Sequence, residues 1–140
     1  MSVQSVNRTC RLKRFQFPRY WEEIVENPAS AEQALARIKE LHAAYQPKQS
    51  EGISFTLEDD QNNKLHVGCS DEGWVLMYDP KEGAGRIAVG NRGAKGHKAF
   101  LFPEWTDFER RYLITMSSAE RVVKQWVETG RLSDDVTWTE

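Results

Sequence analysis

Over residues 64–78 the hydrophobic pattern changes twice. Leu65, Val67 and Cys69 alternate with Lys64, His66 and Gly68, then Asp71-Glu72-Gly73 interrupts, then Trp74-Val75-Leu76-Met77-Tyr78 is apolar without a break. Alternation marks a strand with one wet face, and an unbroken run of β-favouring residues marks a strand covered on both. The pattern therefore predicts a hairpin whose second strand lies inside the sheet. Upstream, Ile53, Phe55 and Leu57 alternate with Ser54, Thr56 and Glu58, and turn residues fill 59–63. Three antiparallel strands in succession make a meander.

Two segments switch to helical spacing. Ser30 and Gln33 stand as in a capping box, and Leu35, Ile38, Leu41 or His42, and Tyr45 follow at intervals of three or four, which predicts a helix over 31–45 that ends before Pro47. Ser117 and Glu120 form a second capping box ahead of Ala119, Val122, Val123, Trp126 and Val127, with Gly130 as the stop. Residues 9–17 read as an edge strand with Phe15 and Phe17 on one side. Ile87 with Val89, residues 99–102 before Pro103, Tyr112-Leu113-Ile114, and Val136-Thr137-Trp138 read as further short strands. The expectation is an α+β domain: a single, mainly antiparallel sheet of about five to seven strands with two amphipathic helices packed on it.

Composition adds bounds. At 140 residues the chain fits one domain spanning 1–140, with 1–28 as an N-terminal extension. The formal charge of −2, from 19 basic and 21 acidic residues interspersed, gives no strong field for nucleic acid or a membrane. Cys10 and Cys69 are far apart and lack a Cys-x-x-Cys pair, so neither a disulfide framework nor a structural zinc is expected. The first residues lack the apolar core of a signal peptide, and nowhere do 18 apolar residues run together. A cytoplasmic protein is expected.

Local chemistry offers two functional readings. Arg8, Arg11, Lys13, Arg14 and Arg19, interleaved with Phe15, Tyr20 and Trp21, could form a nucleic-acid-binding module, but Glu22, Glu23 and Glu26 follow at once and would repel phosphate. Gly83, Gly85, Gly90, Gly93 and Gly96, with Arg86, Arg92, Lys95 and Lys98, could hold a phosphorylated ligand in a small enzyme, but phosphate-loop spacing and a following helix are missing. His66 and Cys69 are three apart on a presumed strand and fall on opposite faces. His42 lies near a buried stripe, and His97 has no partner in sequence. Without a nucleophile, base or metal set within mutual reach, no catalytic residue, cofactor or metal is assigned. The acidic groups Glu58-Asp59-Asp60, Asp71-Glu72 and Asp79 sit at strand ends and turns, where they could gather at one rim of the sheet as an interaction surface.

The order of these features resembles the type-one immunity protein family of bacterial polymorphic toxin systems. The resemblance covers about 30–140 and rests on Leu65-His66-Val67-Gly68, the apolar strand ending in Tyr78, the capped helix ending Thr129-Gly130, and the tail Val136-Thr137-Trp138-Thr139-Glu140. It makes Gly68, Tyr78, Gly130, Trp138 and Glu140 family markers. Physical reasons exist for Gly68 (close approach or a bulge), Gly130 (a left-handed helix stop) and Trp138 (burial against the sheet). It implies a non-catalytic protein that binds and neutralises a cognate toxin domain, in this family often a nucleic-acid deaminase. The chain carries no deaminase signature of its own. An inhibitor of such a toxin would present carboxylates to a basic cleft, so Glu58, Asp59, Asp60, Asp71, Glu72 and Asp79 are the candidate toxin contacts, with an exposed aromatic anchor at Trp74 or Trp105.

Overall fold

A computed structural model of the chain describes residues 9–15, 23–45, 51–101 and 105–139. The elements follow as β1 (Cys10–Phe15), β2 (Glu23–Glu26), α1 (Ala31–Tyr45), β3 (Gly52–Asp59), β4 (Lys64–Cys69), β5 (Trp74–Asp79), β6 (Arg86–Val89), β7 (His97–Leu101), β8 (Trp105–Glu109), a 3-10 turn (Arg110–Tyr112), α2 (Met116–Thr129) and β9 (Thr137–Trp138). This is the α+β architecture expected, with more strands than the hydrophobic pattern revealed.

The meander β3-β4-β5 forms the middle of the sheet, whose order is β2-β1-β3-β4-β5-β6-β9. Its register pairs Phe55 with Val67 and Val67 with Leu76. The period of two therefore carries all three apolar sets to one face. On that face both helices lie over a core that includes Leu12, Leu57, Leu65, Leu76, Ile38 and the fully buried Trp126. Tyr78 meets the Trp126 ring edge-on, 6.4 Å between centroids.

The second edge of β3 is shared. β1 pairs antiparallel with its C-terminal half, from Cys10 opposite Asp59 to Lys13 opposite Thr56. β7 joins its first two residues in parallel, Gly52 opposite Phe100 and Ile53 opposite Leu101. A Cβ at Gly52 would stand 2.4 Å from the Phe100 ring and 2.7 Å from the Cys69 carbonyl, so only glycine admits β7 there. The β7–β8 hairpin then covers part of the helix-free face, where Phe100, Phe108 and Val75 form a second small core.

Three expectations are corrected. β1 is not an edge strand, because β2 pairs along its outer side; Phe17 lies outside the described residues. Tyr112-Leu113-Ile114 is not a strand. The Leu113 N–H turns back to the Arg110 carbonyl at 3.1 Å, the Arg111 carbonyl accepts from Gly90 N at 2.7 Å, and only Ile114 pairs, exchanging two hydrogen bonds with Trp74. The α2 cap is Thr115, whose hydroxyl accepts from the Ser118 N–H, while Ser117 is already inside the first turn. At α1 the box forms with a shift: Ser30 Oγ accepts from Gln33 N, and the Gln33 side chain reaches back to Ala29 N. Gly130 ends α2 at φ 77°, its N–H on the Trp126 carbonyl. Among the described residues no helix is long and apolar enough to cross a membrane.

Candidate functional site

The acidic residues divide between the two ends of the meander. Asp59, Asp60 and Asp79 lie at the end formed by the β3–β4 turn, and Asp71 and Glu72 lie in the β4–β5 turn at the other end. The six-residue β4 separates them by roughly 17 Å, five strand rises. They do not share one rim.

At the first end, Asp59 is 1% exposed and accepts from the N–H groups of Gln61 and Asn63 at 2.9 Å and from the Asn63 amide at 3.2 Å. It is a turn staple, holding the loop in which Asn62 adopts φ 67°. Asp60 is exposed beside it. Asp79 is exposed and lies 3.6 Å from His66 Nε2. His66 shares a 2.8 Å hydrogen bond with Thr56, and burial lowers its pKa, with Asp79 opposing. Glu58, on the helix-free face, is nearly buried and ion-paired to Lys13 at 2.5 Å and Arg11 at 3.1 Å. The Lys13 hydrogen bond does most to hold its carboxyl below the usual range.

At the other end, Glu72 is gripped by Arg110 at 2.7 Å and Lys98 at 3.1 Å, and Lys98 also reaches Asp71 at 3.2 Å. The Arg110 hydrogen bond, then that of Lys98, pulls the Glu72 pKa down to about 2. These carboxylates tie the β4–β5 turn to the β7–β8 hairpin. Trp74 is 1% exposed, held in the core between β4 and Ile114, and cannot be a surface anchor. Trp105 is 54% exposed on β8.

The described cations of the basic N-terminal stretch, and Lys98 of the glycine-rich segment, are held in ion pairs. Arg11 and Lys13 are spent on Glu58, and Arg14 joins Arg37 on Glu26, whose pKa is lowered chiefly by the Arg37 hydrogen bond. Arg8, Arg19, Tyr20 and Trp21 lie outside the described residues. In the glycine-rich segment Lys98 is committed to carboxylates, and the loops flank β6 rather than open a helix. His66 and Cys69 do face opposite sides, opposite Met77 and Trp74. Cys10 and Cys69 are free and buried, and burial pushes the Cys69 thiol up. No group of three potential metal ligands gathers among the described residues.

Sequence reasoning missed Asp107 and Glu109, which share the outward side of β8 with Trp105. In the sequence Trp105 and Phe108 are three apart among polar residues, a spacing that does not mark a strand.

Among the described residues, a sheet that holds many of its charges in pairs and exposes the aromatic Trp105 on a strapped hairpin is suited to binding another protein. The family model for immunity protein Imm1 matches residues 21–140, and the chain belongs to that immunity-protein family. Searches of curated proteins and of solved structures returned no match. Of the family markers, Gly68 is buried between Ser54 and Val75, Tyr78 packs on Trp126, and Trp138 pairs with Ala88 and donates its indole N–H to the Ser133 carbonyl at 2.9 Å. Glu140 lies outside the described residues.

Proposed function

We propose that this immunity protein neutralises its cognate toxin by binding over the substrate cleft, and that the toxin is a nucleic-acid deaminase. The observation that carries the toxin partner is the family match across residues 21–140. What supports a nucleic-acid enzyme is the supply of exposed carboxylates at the β3–β4 end of the meander, Asp60 and Asp79. A cleft built to hold phosphates is basic, and such carboxylates steer the two proteins together. Blocking by occupation requires no chemistry from the inhibitor.

The test is co-expression of this chain with the toxin domain encoded beside its gene, followed by co-purification, a viability count, and deamination of single-stranded oligonucleotides by the toxin alone. Survival with a stable complex and a deaminated product for the free toxin are expected. Continued killing without a complex overturns the immunity pairing. A toxin that kills but deaminates no nucleic acid overturns the deaminase assignment alone.

A further inference from the structure

The β7–β8 hairpin has two sides with different uses. On its inward side Phe100 and Phe108 meet edge to face at 5.6 Å over Val75. Its base is strapped to the β4–β5 turn by Lys98 and Arg110 on Asp71 and Glu72. Outward, Trp105, Asp107 and Glu109 occupy alternate positions of β8, all exposed. Asp107 makes no ion pair among the described residues, whereas Glu109 is held by Arg111 at 3.2 Å.

Trp105 stands opposite Leu101 across the hairpin, yet 54% of it stays exposed, and Trp is among the residues on which interface energy concentrates. The other exposed large hydrophobics among the described residues are Val25 and Met116, neither of which offers an aromatic face. An exposed Trp is the kind of side chain on which binding energy concentrates, because its large ring has few torsions to freeze when it docks.

We propose that the outward face of β8 is the centre of the toxin interface, and that it fits a cationic groove shaped for single-stranded nucleic acid. Trp105 takes the place of a stacked base and Asp107 that of a phosphate. This rests on the reading that the toxin acts on nucleic acid. Single-strand grooves combine aromatic platforms with a track of Lys and Arg. An occupant able to block one needs a π face and an anion a short step apart. Alternate residues on a strand supply that step, about 6.8 Å from two rises of 3.4 Å. A toxin arginine lying over the indole would gain a cation–π contact while its guanidinium reaches the Asp107 carboxylate.

The experiment uses the full chain and the purified toxin domain. The dissociation constant is measured for wild type, Trp105→Ala, Asp107→Lys and Val25→Ala, and binding is then competed with a single-stranded oligonucleotide. Trp105→Ala and Asp107→Lys are each expected to weaken binding by about 10- to 100-fold, with both variants still fully folded at the assay temperature by thermal melting. Val25→Ala should bind as wild type, and the oligonucleotide should displace the chain. Wild-type affinity in both β8 variants, or a ternary complex of toxin, oligonucleotide and chain, overturns the proposal and leaves the immunity function standing. A toxin that binds the chain but no oligonucleotide removes the nucleic-acid reading, and this proposal with it.

Discussion

Whether a carboxylate is structural or available to a partner depends on its immediate neighbours, and Asp59 and Asp60 show the contrast side by side. Asp59 closes the β3–β4 turn through two backbone N–H groups and one side-chain amide, all inside the molecule. Asp59→Ala should lower the unfolding free energy by about 2–3 kcal/mol, since hydrogen bonds to a charged group are the stronger kind. Urea denaturation measures this, and a loss below about 0.5 kcal/mol would mean the turn closes without it. Glu72 is the other informative carboxylate. Its pKa of about 2 in the folded chain lies below its ordinary value of 4.5, so the folded state binds fewer protons than the unfolded state between those values. Its contribution is present above pH 4.5 and disappears as pH falls toward 2. Because Glu72 is more than a third exposed, solvent screens the effect and salt should weaken it further. The stability difference between wild type and Glu72→Gln should shrink as pH falls through that window; a constant difference would show that the ion pairs contribute nothing titratable.

For whole elements, local signals held wherever the determinants are close in sequence. The α1 stripe and the proline after it placed that helix at Ala31–Tyr45, and alternation placed the meander strands. Near misses followed when two local solutions compete: Thr115 and Ser117 can both cap, and the backbone chose the one that brings Met116 into the first turn. Thr115→Ala should therefore cost about 1 kcal/mol, and Ser117→Ala much less. Equal costs in thermal unfolding would place the cap wrongly. What the sequence could not announce is pairing between distant segments. β1 carries basic residues that suit an edge, yet β2 covers it, and Glu58 and Glu26 neutralise its charges. β8 was invisible because one buried Phe108 is no pattern. The β3–β7 junction depends on Gly52, so Gly52→Val should push the Phe100 ring aside, at a cost of about 1–3 kcal/mol. Hydrogen exchange should then quicken in β7 and β8 more than in β4 and β5; uniform quickening would mean the hairpin and meander open as one unit.

Across the whole molecule, the distribution of charge matters more than its sum. A formal charge of −2 gives a weak overall field. Most acidic groups discussed above are already paired, and Asp60 and Asp79 project at the far end of the sheet from the Asp71–Glu72 turn. With the contact on β8 as proposed, carboxylates at the opposite rim should affect the encounter rate more than the lifetime of the complex. The double variant Asp60→Lys, Asp79→Lys should therefore slow association with a basic toxin by about 3- to 10-fold at low ionic strength, with dissociation almost unchanged. Raising salt to about 0.5 M should bring the two association rates together, since the Debye length then falls to a few ångströms. The same reversal at Asp71 and Glu72 would act differently. It would break the grip of Lys98 and Arg110 on the β4–β5 turn, so its first effect should be on the stability of the hairpin that carries Trp105. Stopped-flow mixing at two salt concentrations separates these outcomes. If the Asp60 and Asp79 reversals speed dissociation rather than slow association, that rim is part of the buried contact, and the interface extends along the full length of β4.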